Sequence, residues 1–295
     1  MELREATPDE FASWEGDWIA RLGANKAPAE NRKRATEAPV FTLEADGRAV
    51  GTLALSLLPV RGGEGSELIL SDVHIAPALR GRGHGRAALE AASRWGREKG
   101  ARSLSVAYPG GDEAAEALFG DLRLVAQHMD IELGEKRELP AEITVEPLRG
   151  DAYDVWHEHS VTEYARITAE AGFGTYEEAY KSSVEQFGEL LPQGTDTPGH
   201  SLEQLMVDGE QVSSIWIRHG YEPGTSFVFD VESSAKHRGK GYGRAAMWHG
   251  ENISLAAGDE RLMLNVHGHN TVAISLYVKL GYRVVRRFRG ADLTA

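Results

Sequence analysis

The sequence of 295 residues contains no cysteine, which excludes disulfide bonds, thiolate nucleophiles and thiolate metal ligands. It also lacks any apolar run close to the roughly 20 residues that a membrane-spanning helix needs. The first residues do not show the basic and then apolar pattern of a signal peptide. We therefore expect a cytoplasmic protein without a metal centre and without a membrane partner.

Basic residues are in short supply, with 32 Lys and Arg against 45 Asp and Glu and a net charge of −13. Non-specific nucleic-acid binding depends on Lys and Arg that neutralise phosphates, so the charge argues against such a partner. The acidity leaves room for a cationic acceptor such as an amine, although its usual effect is on solubility. A small-molecule partner is expected, and both a monomer and a homodimer stay open.

The most informative feature that is present is a repeated glycine-rich loop. Residues 238–244 read RGKGYGR and residues 80–86 read RGRGHGR, an offset of 158. A chain of this length has room for two domains of about 150 residues. We therefore predict a duplication, with an N-terminal domain at 1–138 and a C-terminal domain at 142–295. The same offset also aligns, without a gap, Asp72 with Asp230, Gly100 with Gly258, and Leu122 with Leu280.

The patterns of apolar residues, turns and caps predict the same order of elements in both halves. Each half is expected to be an α+β unit with a mixed central sheet flanked by helices. In it a hairpin precedes a strand, the glycine-rich loop, a helix, a strand, a helix and a last strand. In the first half the predicted strands are 2–4, 40–44, 50–58, 68–75, 103–108 and 124–133, and helices begin at Thr7 and span 86–99 and 112–122. In the second half, strands 143–148, 226–232, 262–266 and 282–288 accompany a hairpin around Asp208-Gly209 and helices at 151 to about 172, 244–257 and 270–280.

A strand that delivers a glycine-rich turn onto a helix N-terminus makes an anion site. Free backbone N–H groups converge there and the helix dipole favours negative charge. Arg238, Lys240 and Arg244 add positive charge. A Rossmann site would need the loop after the first strand and an acid about 20 residues on, and a P-loop would need Gly-Lys followed by Ser or Thr; the sequence has neither. A tight turn without a ligand would explain one such loop but explains two poorly, so we predict a phosphate site in each half.

Downstream of the second loop, residues 270–282 read NTVAISLYVKLGY. This block, together with the R-x-x-G-x-G motif that begins at Arg238, closely resembles the GCN5-related N-acetyltransferase (GNAT) superfamily. The resemblance is strong from about Glu203 onward, and it extends to the first half through the same motif beginning at Arg80. It is a resemblance to the tandem, two-domain type of the family, in which the C-terminal copy is taken as catalytic.

The resemblance implies an enzyme that binds acetyl-CoA or another acyl-CoA and transfers the acyl group to a primary amine of a small molecule. It implies that Asn270 bonds the pantetheine arm and that Tyr277 protonates the leaving thiolate. A phenol with a pKa near 10 suits that step because the leaving thiolate is a base of comparable strength. The cofactor-binding positions implied are Ser233, Arg238, Gly239, Lys240, Gly241, Tyr242, Gly243, Arg244 and Asn270 in the second half, and Arg80, Gly81, Gly83 and Gly85 in the first.

Each assignment has a simpler structural alternative. Asn270 opens a helix and could be only its N-cap, and Tyr277 lies on an apolar stripe and could be only packing. Glu232, on the strand before the loop, is a candidate general base, acting directly or through water, or else a solvated carboxylate at a strand end. His267 and His269 could relay a proton or serve only the structure of their loop.

The acceptor pocket is expected from the first helices and the inserted loop of the second half. The predicted substrate residues are Tyr164, Trp216, Trp156 and Glu163, with Tyr153, His157 and His159 as further candidates. The first half keeps the glycine loop but loses the phenol, so it is expected to be degenerate and the chemistry to lie in the second half. The replacements are Asp112 for Asn270, Phe119 for Tyr277 and His74 for Glu232.

Two other functions stay open. A non-catalytic protein that binds acyl-CoA or acts as a scaffold would keep the loops without turnover, and a thiol-release assay with a panel of amines separates it from an enzyme. An aminoacyl-tRNA-dependent transferase on the same fold would show steeply salt-dependent tRNA binding, and the acidic charge counts against it.

Overall fold

The computed structural model describes residues 1–23, 38–60, 65–170 and 175–294. The chain forms two compact units, of which the first consists of Met1–Val125 and Arg286–Ala295 and the second of Ala126–Val285. Strands and helices alternate in both, which confirms the predicted α+β class.

The first unit is built on a mixed sheet. Its strands β1 to β4 are antiparallel neighbours, whereas β4 and β5 run parallel. The core between sheet and helices is aliphatic, with Leu53, Leu68 and Leu104 almost fully buried. The elements are β1 (Glu2–Glu5), α1 (Pro8–Gly23), β2 (Val40–Ala45), β3 (Arg48–Pro59), β4 (Ser66–Ile75), α2 (His84–Glu98), β5 (Ala101–Pro109) and α3 (Glu113–Phe119).

The second unit repeats this plan with an addition. A second helix follows its first one, and the capping box of Thr175 and Glu178 that starts it is a signal that our sequence analysis missed. The predicted end of the preceding helix, near residue 172, lies outside the described residues. The elements are β6 (Arg123–Glu132), β7 (Thr144–Pro147), α4 (Asp151–Glu170), α5 (Tyr176–Leu190), β8 (His200–Val207), β9 (Glu210–Glu222), β10 (Thr225–Ser233), α6 (Tyr242–Ala256), β11 (Arg261–His267) and α7 (Thr271–Leu280).

Both predicted Asp-Gly hairpins form. The φ angles are 51° and 71° at Asp46 and Gly47, and 51° and 78° at Asp208 and Gly209. Two successive residues with positive φ are what a tight two-residue hairpin turn requires, and Asp and Gly tolerate them best. The turns set the register of β2 with β3 and of β8 with β9. Strand β3 also pairs with β4, and β9 also pairs with β10.

The last strand of each sheet comes from the other half of the sequence. Residues 286–292 of the last strand, β12 (Arg283–Asp292), pair antiparallel with β5, whereas residues 126–132 of β6 pair antiparallel with β11. Our expectation that strand 124–133 completes the first sheet is therefore wrong. Packing gives the physical reason, because Met129 is buried in the core of the second unit and Gly290 of β12 approaches Leu104 so closely that a Cβ would lie 2.9 Å from its carbonyl oxygen.

Residues 134–140, at the predicted boundary between the two domains, contain no helix or strand, but side-chain hydrogen bonds hold them in place. The Arg137 guanidinium donates to the buried carboxylate of Glu251 at 2.8 Å. The Arg137 backbone N–H donates to Asn252 Oδ1 at 2.7 Å, and Asn252 Nδ2 donates back to the Arg137 carbonyl at 2.9 Å. The segment is thus fixed to α6 of the second unit.

One largely buried side chain, Arg289 with 12% exposure, connects β12 to the rest of the first unit. Its guanidinium donates to the Tyr108 hydroxyl and to Glu116 Oε1, each at 2.7 Å, and the Tyr108 hydroxyl donates to Glu116 Oε2 at 2.7 Å. It also donates to the carbonyls of Gly120 and Leu122 at 2.9 and 2.7 Å. These carbonyls follow α3, so Arg289 satisfies backbone acceptors that the helix leaves open.

The sheet face beneath α4 and α5 in the second unit carries an aromatic cluster. Trp216 stacks on Phe229 at 4.7 Å between ring centroids and meets Trp156 edge-on at 5.6 Å. The Trp216 indole N–H donates to His200 Nδ1 at 2.9 Å, a contact that needs a neutral imidazole. Burial lowers the pKa of His200 to about 4, with smaller effects from Arg218 and His219.

We predict that Arg289→Gln destabilises the first unit by about 2 kcal/mol, because four oxygen acceptors lose a charged donor. Urea unfolding and amide exchange of β5 measure this. The matched control is Arg283→Gln on the same strand, whose pair with Glu132 at 3.5 Å is exposed and should matter by less than about 1 kcal/mol. Equal effects of the two substitutions would contradict the fastening role.

We also predict acid sensitivity that depends on His200. Its pKa is lower in the folded chain than the ordinary value of 6.5, so the unfolded chain takes up a proton first as pH falls. Stability present above pH 6.5 is therefore lost between about pH 6.5 and 4, by at most about 3 kcal/mol. In His200→Gln the slope of unfolding free energy against pH should flatten in this range. An unchanged slope in His200→Gln would refute the assignment.

Candidate functional site

Strands β10 and β11 separate at the end of the second sheet. Their parallel ladder joins residues 225–228 to residues 261–264, and beyond it the strands continue to Ser233 and His267. On the other side of β10, Val228 faces Ile217 while Asp230 faces Trp216, so Phe229 is an extra residue in a β-bulge. A bulge disrupts the ladder locally and leaves backbone polar groups unpaired. The gap between β10 and β11 is thus lined by backbone that has no strand partner across the gap.

The glycine-rich loop lies directly after this gap. A short 3-10 turn at Ala235–His237 leads into it, and α6 begins at Tyr242. Gly239 and Gly241 have φ angles of 79° and 91°, which glycine adopts without strain. Gly241 is the N-cap of α6 and offers no side-chain cap, so the first-turn N–H groups are left for another acceptor.

Close packing holds the loop, the end of β10 and α7 together. A Cβ on Gly243 would lie 3.2 Å from Ser233 Oγ and 3.5 Å from Leu276 Cδ2. Arg238, Lys240 and Arg244 are exposed around the loop, and Arg244 also stacks on Trp248 at 5.1 Å. The loop therefore combines free N–H groups, a helix N-terminus and three cations, as an anion site requires.

Tyr277 lies next to Leu276 on α7 and faces the core. Its ring is buried and packs against Tyr282 at 5.9 Å. Burial raises the pKa of the Tyr277 phenol above 10, and the nearby Asp230 carboxylate raises it further. The phenol therefore keeps its proton throughout the neutral range and can donate that proton or a hydrogen bond.

Asn270 has the structural role that its position suggests. Its Oδ1 accepts a hydrogen bond from the Ala273 N–H at 3.1 Å, which makes it the N-cap of α7. The equivalent Asp112 accepts from the Ala115 N–H at 2.9 Å in the first unit. The Asn270 side-chain amide N–H₂ is not used in the cap, so capping leaves a donor for a second partner.

Glu232 ends β10 as an accessible carboxylate. It pairs with His159 of α4, whose Nε2 lies 3.2 Å from Glu232 Oε1 and 3.1 Å from Oε2. The side chains of His159 and Glu232 are 49% and 38% exposed, so solvent reaches both. From the sequence, His159 is only a further candidate for the pocket, because nothing in the sequence connects it with Glu232.

A tryptophan and an aspartate are joined in the same way in both units. Trp14 Nε1 donates to Asp72 Oδ2 at 2.9 Å, and Trp156 Nε1 donates to Asp230 Oδ2 at 2.9 Å. Each aspartate follows the extra residue of a bulge, Ser71 in β4 and Phe229 in β10. The sequence signal for this contact was the alignment of Asp72 with Asp230 at the same offset as the two glycine-rich loops. Burial raises the pKa of the Asp230 carboxyl.

His267 and His269 stack at 5.7 Å between ring centroids at the end of β11. Burial and the neighbouring His269 lower the pKa of His267, so its ring is neutral at neutral pH. In the described part of the chain, no group of three or more His, Asp or Glu is arranged to hold a metal ion. No described helix is long and apolar enough to cross a membrane.

The predicted substrate residues fall into two classes. Trp216 and Trp156 are only 2% and 5% exposed and belong to the aromatic cluster. Tyr164 is 40% exposed on α4, and Glu163 is bound to Arg166 at 2.8 Å on the surface of the same helix. Phe229, at the bulge, and the helix α5 are neighbours of this region that our sequence analysis missed.

The first unit repeats the loop without the phenol. Gly81 and Gly83 have φ angles of 72° and 84°, and the N-cap residue of α2, Gly83, again provides no side-chain cap. Arg80 is exposed and donates to the Ile75 carbonyl at 3.0 Å. A Cβ on Gly85 would lie 3.4 Å from Leu118 Cδ1. Phe119, the equivalent of Tyr277, is buried in the core.

Comparisons with known proteins fit this geometry. Residues 3–121 and 156–282 match the model of the Acetyltransferase (GNAT) family, which uses acetyl-CoA. The uncharacterized N-acetyltransferase YdgE of Bacillus subtilis is 27% identical over 142 residues, which cover 47% of this chain and 90% of that protein. A mycothiol acetyltransferase of Clavibacter michiganensis is 27% identical over 249 residues, which cover 81% of this chain and 74% of that protein.

A solved structure of similar fold is the GCN5-related N-acetyltransferase from Sphaerobacter thermophilus. It has a TM-score of 0.59 and 18% identity, and the match covers 99% of this chain and 95% of that one. At this identity the likeness shows the fold alone. The family model, in contrast, matches most of the sequence in two separate stretches. The protein therefore belongs to the GNAT family of N-acetyltransferases and carries two copies of the family's domain in one chain.

Proposed function

We propose that this protein transfers the acetyl group of acetyl-CoA to a primary amine of a small molecule, and that its second unit carries out the chemistry. The observation that carries the proposal is the joint presence, in that unit alone, of the glycine loop, the Tyr277 phenol and the accessible Glu232 carboxylate. The extents 1–138 and 142–295 are kept as the proposed boundaries of the two copies.

The residues of the second unit fit a CoA thioester. The N–H groups from Gly239 to Arg244 would bind the pyrophosphate, with Arg238 and Lys240 adding charge and Ser233 at the edge of the loop. The pantetheine arm, a chain of amides, would follow the unpaired backbone between β10 and β11, with Asn270 as a side-chain partner. When bound, the thioester supplies a carbonyl that an amine can attack.

Two side chains would accept and donate the protons that move during the reaction. Glu232 would take a proton from the incoming ammonium, since only the neutral amine has a lone pair for attack. Tyr277 would donate to the leaving sulfur, where its buried O–H stabilises negative charge more than a solvated group does. The raised pKa of Tyr277 keeps its proton in place until the thiolate forms.

The first unit is proposed to be a scaffold without turnover. Its loop has the same backbone, but Phe119 cannot donate to a leaving group and Arg80 is engaged with a backbone carbonyl. For the acceptor we propose an amine that approaches α4 near Tyr164 and Glu163. The amine acceptor of mycothiol acetyltransferase belongs in the test panel because relatives of that name align with most of this chain.

We predict that Gly241→Val abolishes acetyl-CoA binding in the second unit. A side chain at φ 91° is strained and obstructs the approach of phosphate to the loop N–H groups. Calorimetry should show the loss of that binding event. The matched control is Gly258→Val, which imposes a similar strain at φ 88° at the other end of the same helix. Lys240→Glu tests the loop without backbone strain, and full affinity in both loop variants would refute the cofactor site.

We predict that Tyr277→Phe lowers kcat at least tenfold and leaves the KM for acetyl-CoA nearly unchanged, because general-acid groups contribute typically 10²- to 10⁴-fold in the transition state. Thiol release with an amine panel measures both constants. Tyr282→Phe is the control, since it removes the hydroxyl of the neighbouring buried tyrosine, which donates to Glu251. Full activity of Tyr277→Phe would show that the phenol only packs.

A further inference from the structure

The His159–Glu232 pair joins the helix α4 to the end of β10. His159 Nε2 lies 3.2 Å from Glu232 Oε1 and 3.1 Å from Oε2, so it reaches both carboxylate oxygens. A proton held between them is therefore shared by three acceptor atoms. Both side chains stay about half exposed, so a proton that reaches the pair has a direct route to water.

Two carboxylates of the described residues, Glu163 and Asp230, interact electrostatically with the pair. On α4, Glu163 lies one turn after His159 and is neutralised by Arg166 at 2.8 Å. On β10, Asp230 lies two residues before Glu232 and is occupied by the Trp156 indole at 2.9 Å. Glu163 and Asp230 are thus held by other partners, which leaves Glu232 and His159 as the groups free to exchange a proton with an incoming amine.

The overall reaction releases one proton. A primary ammonium loses two protons as its nitrogen becomes an amide: the C–N bond forms, the C–S bond breaks, and one proton ends on the CoA sulfur. The other must leave the site. A carboxylate alone would have to return that proton directly to water before each new turnover.

We infer that His159 and Glu232 act as one base, in which Glu232 accepts the proton of the acceptor ammonium and His159 passes it to solvent. This inference rests on the proposed function and adds His159 to its machinery as a positioning and relay residue. The Trp156–Asp230 contact holds α4 against β10 at this point and so maintains the distance between the two groups.

The test is His159→Gln, which keeps an N–H able to reach Glu232 but cannot take up and pass on a proton. We expect kcat/KM for the amine to fall at least tenfold at pH 7, since general bases contribute typically 10²- to 10⁴-fold. The deficit should shrink as the pH approaches the pKa of an alkylamine, near 10, because the amine then arrives neutral. The KM for acetyl-CoA and the melting temperature should not change. Glu170→Gln, which breaks an ion pair of the same helix at 2.7 Å, is the control and should behave like the unaltered protein at every pH.

If the His159–Glu232 pair only stabilises the structure, the substitution gives different results. In that case His159→Gln retains full activity, or it loses the same factor at every pH together with thermal stability, and either result overturns the inference. If the unaltered protein releases no thiol with any amine of the panel, the proposed function fails as well. If the unaltered protein turns over and Tyr277→Phe is impaired while His159→Gln is not, only the inference fails.

Discussion

The hydrogen bond between an indole N–H and a partly buried carboxylate is the contact on which the site depends. In each unit it connects the first helix to the residue that follows a β-bulge, so it fixes the helix over the point where the sheet opens. A buried carboxylate costs several kcal/mol unless it is paired, and the indole supplies a donor without adding a charge. The same contact occurs in the second unit, which has the Tyr277 phenol, and in the first unit, which has Phe119 at that position. We therefore assign the contact to the structure of the fold and not to catalysis.

The two units share this contact but differ in the residues of their interiors. In the second unit the Ser201 hydroxyl, the His219 ring, the Ser226 hydroxyl and the Asp259 carboxylate form a continuous hydrogen-bonded chain, with contacts of 2.8, 3.0 and 2.6 Å. The positions equivalent to Ser226 and Asp259 in the first unit are Leu68 and Ala101, which are packed in an apolar core. The fold therefore accepts either interior, whereas both copies retain the glycine-rich loop and the aspartate that the indole N–H binds.

Local features could be predicted from the sequence because their causes are local. Asp-Gly at a hairpin and glycine at positive φ in the loop specify the backbone within a few residues. The exchange of β6 and β12 could not be predicted, because both strands have the alternation that either sheet would accept. Long-range contacts such as those of Arg289 and Gly290 decide between them. The periodicity of apolar residues also does not distinguish a buried aromatic residue such as Trp216 from one that lines a pocket. Nor does it show that His159 and Glu232, which are 73 residues apart in the sequence, are in contact.

Because β6 and β12 are exchanged between the two halves of the sequence, the segments of the two units are completed at different times during synthesis. All segments of the second unit have been made once Val285 is added, whereas the first unit still lacks the partner of β5. At roughly 5–20 residues per second, about 10–30 s pass between the synthesis of α3 and that of β12. During that interval the edge of β5 presents unpaired N–H and C=O groups, the kind of template on which strands of other chains add. A stalled or truncated chain would keep this edge open, so the final residues protect the first unit from aggregation as well as completing its sheet.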